Sequence, residues 1–163
     1  MHISMNGRIA IAASAAIFCL TTPATRAQAT PVNVELQWIP VPSILPVGAT
    51  IAVVNGNPFT PGEFTVEFRM PDKYTLPPHT NPSIEHVMIK SGALRVGLGR
   101  KIDRKKSLVL AAGDTATTPP GVPHWSIAEG EVEIVVTYQN GPFGIAYMSK
   151  RDEPGAHAFP SGY

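Results

Sequence analysis

The chain is poor in cysteine, and Cys19 is its only one. A single thiol excludes an internal disulfide and every zinc site built from several cysteines. A strong charge of either sign is also missing, because 13 basic residues face 12 acidic ones and the formal net charge is +1. This balance does not favour nucleic acid or an anionic membrane surface as a partner. Glycine-rich phosphate loops and serine nucleophile elbows are absent too, so hydrolysis through an acyl-enzyme is not expected.

Long apolar runs are also scarce, and the exception lies near the N-terminus. Residues 9–20 are small or apolar throughout, and a short polar and basic stretch precedes them. This run is too short for a bilayer-spanning helix, which needs about 20 residues. A basic start, an apolar middle and small residues around Gln28 are the layout of a secretory signal peptide. We therefore expect cleavage after Ala29 and a periplasmic or secreted mature chain that has no membrane span.

Proline and glycine, by contrast, are abundant, with 17 and 14 residues that separate short apolar segments. This distribution of proline and glycine indicates many turns between short strands. The clearest strand pattern is in residues 62–70, where every second residue is apolar. About eight strands and no helix are expected, so the predicted fold class is all-β. The predicted organisation is a signal peptide over 1–29, an N-terminal arm over 30–50 with a strand at 34–38, a barrel over 51–148 and a polar tail over 149–163.

Two histidines and a carboxylate are spaced for one metal site. His79, Asn81 and Glu85 lie at positions i, i+2 and i+6, so an extended chain points them to one face, and His124 enters from a later strand. Each histidine alone is more often a hydrogen-bonded structural residue, and the argument for a metal rests on their joint occurrence. Two imidazoles and one carboxylate suit a divalent Fe, Mn, Zn, Ni or Cu ion and leave positions open. His86 has the opposite parity and is not expected to join them.

Two aromatic residues are candidates for the wall of a ligand pocket. Tyr138 falls on the inward face of an alternating strand, and Trp125 directly follows His124. Aromatic side chains with one polar atom occur both in cores and in pockets, so both roles stay open for each residue. The basic segment 100–106 is expected to be a solvated loop tip.

The two stretches that hold these residues resemble the paired motifs of the cupin superfamily, which are β-barrels of the jelly-roll type. The first family motif has H-x-H, three or four residues, Glu, six residues and Gly. It is matched here from His79 to Gly92, with Asn81 in place of the second histidine. The second motif has Gly, five residues, P-x-G, two residues and His, and it is matched from Gly113 to His124. The whole is similar to small exported bacterial single-domain cupins.

Departures from the family pattern bear on function more than the matches do. Besides Asn81, Lys73 stands where the first motif opens with Gly, and Ala128 stands where the second closes with Asn. The resemblance implies a single cupin barrel of jelly-roll type with a divalent Fe, Mn, Zn or Ni ion. The two motif histidines and the glutamate would hold that ion. Asn81 would be a weaker fourth ligand through its oxygen, would orient a bound water, or would mark a site that has lost its metal.

Three functions remain open from the sequence. The first is an exported metal-dependent enzyme, dioxygenase-like or isomerase/lyase-like, that acts on a small molecule. The second is a non-catalytic module that binds a small-molecule ligand, which the replacement at Asn81 favours. The third is a degenerate barrel with a structural role that forms a homodimer through the strand at 34–38. Fold alone does not choose among them, since one fold hosts many activities.

Overall fold

The computed structural model describes residues 35–154, which lie within one unit that starts at Val34. The predicted signal peptide, the start of the arm and the end of the tail lie outside the described residues. Within 35–154, no helix has the length and apolar character needed to cross a membrane. The only helical segments in that range are two short 3₁₀ turns, Arg104–Lys106 and Lys150–Asp152.

Eleven strands make up nearly half of the described chain, all in antiparallel pairs. They are β1 Ile39–Pro40, β2 Thr50–Asn55, β3 Phe64–Met70, β4 Thr75–Thr80, β5 Glu85–Ser91, β6 Ala93–Leu98, β7 Ser107–Ala111, β8 Thr115–Thr118, β9 His124–Ala128, β10 Val132–Tyr138 and β11 Ala146–Tyr147. The number exceeds the expected eight partly because β1 is a two-residue edge strand that carries no periodic signal of its own.

The strands form two sheets that enclose one apolar core. One sheet has the order β1-β2-β3-β10-β5-β8 and the other has the order β11-β4-β9-β6-β7. The alternation predicted for residues 62–70 is confirmed in β3, where Phe64, Val66, Phe68 and Met70 all belong to the buried core. The predicted all-β fold, a jelly-roll barrel, is therefore confirmed.

Strand pairing brings the candidate site residues into register. In the β4–β9 ladder His79 is the direct partner of His124. In the β5–β10 ladder Glu85 is the direct partner of Tyr138. Directly opposed residues of an antiparallel pair project to the same face. Each sheet therefore delivers one pair of polar side chains to the barrel interior.

An ion cluster on the outer face ties together the strands that carry Glu85 and Tyr138. Lys90 of β5 donates to Glu67 of β3 at 3.0 Å and to Glu133 of β10 at 2.8 Å. Glu67 is only 7% exposed, so this pairing offsets the cost of burying its charge. The cluster fastens β5 and β3 to the central strand β10.

The strand expected at 34–38 is wrong, because pairing begins only at Ile39, one residue beyond its expected end. Residues 35–38 have no strand assignment, and β1 pairs Ile39 with Ile51 and Pro40 with Thr50. Proline has no backbone N–H to donate, and it is tolerated here because β1 is an edge strand. Trp38 instead stacks on a charged side chain, since the guanidinium carbon of Arg69 lies 3.7 Å from its ring centroid.

Lys73 occupies a backbone conformation that normally favours glycine. Its φ is 65°, the only positive φ of a non-glycine residue in the described chain. Its side chain is 87% exposed and lies 3.6 Å from the carboxylate of Asp72. A lysine therefore takes this left-handed conformation at the position where the first motif opens with glycine.

Candidate metal centre

His79, Glu85 and His124 converge inside the barrel as the sequence spacing predicts. One ligand atom from each lies within 4.8 Å of the others. His79 and Glu85 are buried and His124 is partly buried, and the two imidazole centroids are 4.2 Å apart. Ligands of a single ion at about 2.1 Å lie no more than about 4.2 Å from one another, so small adjustments would suffice for all three to bind it.

Backbone carbonyls hold both imidazoles with the same nitrogen turned toward the centre. Nδ1 of His79 lies 2.7 Å from the carbonyl oxygen of Pro77, and Nδ1 of His124 lies 2.9 Å from that of Val122. A carbonyl oxygen only accepts, so each Nδ1 carries a proton and donates it. Each Nε2 is then left for a ligand. This is the arrangement that metal-binding histidines use to set their tautomer.

The environments of the two histidines move their pKa values in opposite directions. Burial, reinforced by the charge of His124, lowers the pKa of His79 to about 4. Burial acts downward on His124 as well, but the hydrogen bond and charge of Glu85 outweigh it and raise its pKa. Nε2 of His124 lies 3.0 Å from Oε2 of Glu85. In the metal-free protein His124 therefore takes up a proton before His79 does.

Asn81 joins the cluster through Tyr138. Nδ2 of Asn81 lies 3.3 Å from the Tyr138 hydroxyl, which in turn donates to Oε1 of Glu85 at 3.4 Å. Burial, with the charge of Glu85, raises the pKa of Tyr138 well above its usual value, so the hydroxyl keeps its proton. Because that proton goes to Glu85, the hydroxyl must accept from Asn81, which places the amide nitrogen toward it. Oδ1 of Asn81 is then left buried without a hydrogen-bond partner among residues 35–154.

The four candidate donors fit a divalent transition metal. Two neutral imidazole nitrogens and a carboxylate are ligands common to Fe, Mn, Zn and Ni sites. A buried carboxamide oxygen without a partner is costly to the fold, and an ion is one group that would satisfy it. The chain thus offers three strong donors and one weaker one from four different points of the barrel.

These residues line one cavity of about 410 Å³. Both predicted wall residues border it. Tyr138 is 5% exposed and faces the cluster, whereas Trp125 is 1% exposed and leaves β9 on the face opposite His124. The ring of Trp125 lies against Gly97, where a Cβ atom would collide with it. Its Nε1 has no hydrogen-bond partner within the described part of the chain.

His86 lies outside the cluster, as its parity predicts. It is exposed, and its Nδ1 lies 2.9 Å from Oγ1 of Thr117. The cavity residues that were not singled out from the sequence include Leu98, Lys106 and Leu108. Leu98 is the β6 partner of His124, and only the strand register reveals that relationship. Lys106 ends the basic segment 100–106, so this loop tip borders the cavity as well as solvent.

Comparison with known sequences agrees with the geometry. Residues 66–138 match the sequence profile of the family described as the cupin domain. The chain belongs to the cupin superfamily. A comparison with curated proteins finds no significant match.

Solved cupin structures resemble this cupin in fold. An RmlC-like cupin from Shewanella frigidimarina superposes with a TM-score of 0.51 at 14% identity, over 72% of this chain and 93% of that one. KdgF from a Halomonas species superposes with a TM-score of 0.51 at 19% identity, over 64% of this chain and 88% of that one. An oxalate oxidase superposes with a TM-score of 0.50 at 23% identity. The match covers 67% of this chain, which spans only 59% of the oxalate oxidase chain. Identities this low establish the shared barrel and leave the reaction to the site itself.

Proposed function

We propose that this cupin binds one divalent transition metal through Nε2 of His79, Nε2 of His124 and a carboxylate oxygen of Glu85. Oδ1 of Asn81 would be a fourth, weaker donor, and the ion would serve to bind and activate a small molecule. The observation that carries the proposal is the shared orientation of the two imidazoles. Both Nδ1 atoms donate to backbone carbonyls, which leaves both Nε2 atoms for the centre.

The chain's own residues prepare the centre in three ways. The carboxylate of Glu85 offsets part of a bound cation's charge, and the Tyr138 hydroxyl holds its Oε1. His124 must release the proton at Nε2 before that nitrogen can ligate. Tyr138 keeps the carboxamide of Asn81 turned so that oxygen, the atom able to ligate, is free. A bound ion would supply Lewis acidity toward an oxygen atom of the substrate.

The enzyme we favour is dioxygenase-like or isomerase/lyase-like. Two histidines and one carboxylate with remaining positions open form the donor set used for O₂ activation by non-haem iron. The same set holds Mn or Zn when the chemistry is proton transfer or elimination. Which metal the protein retains decides between these classes, so the metal is the first quantity to measure.

A binding module without catalysis is the second candidate, and Asn81 is the observation that favours it. A carboxamide oxygen is a weaker metal ligand than the imidazole nitrogen of the histidine that the family motif has at this position. A weaker donor set would suit reversible binding of a ligand at the ion. Thermal stabilisation by small molecules with no product formed would identify this function.

Metal analysis of the protein tests the proposal. The full chain, purified without chelators, is compared with His124→Ala and with His86→Ala as a matched control, since His86 is an exposed histidine on the strand that carries Glu85. We expect about one equivalent of metal in the wild type and in His86→Ala, and a large loss in His124→Ala. Absence of metal in all three, also after metal addition to folded protein, would overturn the proposal.

We also propose that the protein is exported to the periplasm or secreted. The support is the three-part composition of residues 1–29. Mass spectrometry of protein from the extracytoplasmic fraction should find a mature chain that begins at Thr30. Retention of Met1 in protein recovered from the cytoplasm would contradict export.

A further inference from the structure

An apolar strip runs along the inner face of β6 and β7 from the core to the surface. On β6, alternate residues share a face, and exposure rises from 2% at Leu94, through partly buried Val96, to 70% at Leu98. On β7, Leu108 is the direct partner of Val96 and is 69% exposed. We call these four residues the β6–β7 strip. Its outer end presents large apolar side chains to solvent.

The outer end of the strip lies beside the metal centre. Leu98 is the direct cross-strand partner of His124, and both residues line the same cavity as Glu85. All four strip residues border this cavity. A volume of about 410 Å³ lies within the range of about 300–1,000 Å³ that small-molecule sites occupy. Apolar exposure is therefore concentrated beside the candidate ligands, where a bound molecule would cover it.

The charges around the cavity also favour an apolar ligand body. Among the described residues that line it, Lys106 is the only lysine or arginine, and its side chain is exposed. A small dianion would meet the carboxylate of Glu85 and have no buried cationic side chain as a partner for its second charge. A molecule with one oxygen-bearing end and an apolar remainder does not require such a partner.

We propose that the ligand of this cupin is an amphipathic small molecule with a carboxylate or another oxygen-bearing group at one end and a linear apolar body. The body lies along Leu94, Val96, Leu98 and Leu108, and the oxygen-bearing end lies at the metal centre. The placement of the oxygen end rests on the function proposed above. The placement of the apolar body rests on the strip alone.

A series of straight-chain carboxylates from acetate to octanoate tests the proposal. Their affinities for the full chain, first metal-free and then loaded with Mn²⁺, are measured by isothermal titration calorimetry. We expect affinity to rise about fourfold for each added methylene until the strip is covered. The affinity of the shortest acid reports the metal, and the increase per methylene reports the strip. If loading with Mn²⁺ leaves the affinities for all the acids unchanged while the chain-length dependence is present, the metal centre is overturned and the strip is supported.

Matched substitutions decide whether the strip is the surface involved. Leu98→Ser and Leu108→Ser remove an exposed apolar side chain that lines the cavity. Ile102→Ser and Val109→Ser remove side chains that are 42% and 47% exposed and do not line it. We expect octanoate to bind about tenfold more weakly to the first two variants, with acetate binding unchanged, and no loss for the controls. If Leu98→Ser disturbs metal uptake through its neighbour His124, the comparison of octanoate with acetate binding is made with Leu108→Ser alone.

Two results would overturn the proposal. One is an affinity that does not depend on chain length, or that falls equally in the strip and control variants. The other is a wild-type dimer in sedimentation experiments that Leu108→Ser, but not Val109→Ser, converts to a monomer. That second result would show that another copy of the chain covers the strip.

Discussion

The amide nitrogen of Asn81 lies 3.3 Å from the hydroxyl oxygen of Tyr138, a residue 57 positions further along the chain. Because the hydroxyl donates its own proton to Glu85, this contact sets which end of the carboxamide is free. The family motif has a histidine at the position that Asn81 occupies. This chain has a carboxamide there, and Tyr138 controls its orientation. Tyr138 is therefore a positioning residue for the candidate metal centre.

Tyr138→Phe should weaken metal binding by about tenfold to a hundredfold, the loss typical of residues that orient metal ligands. The substitution removes the donor to Glu85 and the acceptor for Asn81, so the carboxamide is free to turn its nitrogen inward. Metal affinity is measured by competition with a chromophoric chelator. Rescue by a second substitution, Asn81→His, would separate this role from a packing role, since an imidazole does not need the hydroxyl to present a nitrogen. Unchanged affinity in Tyr138→Phe would contradict the assignment.

Asn81→Leu should separate metal binding from stability. Leucine is similar in size and removes the buried Oδ1, which has no partner among the described residues, although the hydrogen bond to Tyr138 is lost with it. These effects oppose each other, so we expect the free energy of unfolding of the metal-free protein to change by no more than about 1 kcal/mol. Metal affinity should fall at least about tenfold. If chemical denaturation and metal titration both give wild-type values, Asn81 is not a ligand.

Metal affinity should decrease as the pH falls, and one proton should account for most of the decrease. The pKa of His124 is raised above its usual value by Glu85, so protons compete for its Nε2 already in weakly acidic solution. The pKa of His79 is lowered to about 4, so His79 remains neutral over the same range. Below the pKa of His124, the logarithm of the association constant should fall by about one per pH unit. Titrations between pH 5 and 8 in non-coordinating buffers measure this slope, and a slope of two near pH 6 would refute the separation of the two histidines.

Gly97→Ala should destabilise the barrel by about 1–3 kcal/mol, since overpacking a filled site forces neighbouring groups to move. An added Cβ atom would collide with the ring of Trp125, which is 1% exposed. Urea denaturation measures the loss. The double variant Gly97→Ala/Trp125→Leu should lose less stability than the sum of the two single variants, because the smaller side chain leaves room for the new methyl group. Strict additivity would mean that the two positions do not press on each other.

The local features of this protein follow from its sequence because strand geometry has a period of two. That period places the apolar residues of β3 in the core and separates His86 from Glu85, and the structure agrees on both points. The strand expected at 34–38 is wrong for a related reason. Its composition suits a strand, but the ladder forms where Ile51 and Thr50 offer partners, and those partners select Ile39 and Pro40.

The sequence by itself determined the all-β class, the two motifs and the identity of the three strong candidate ligands, since residue type and even spacing carry that information. Only the tertiary structure decided that Tyr138 links Asn81 to Glu85 and that Leu98 stands beside His124. Both relationships depend on the register between strands that are distant in the chain. Register is set by how the two sheets bury their common core, which no local pattern specifies.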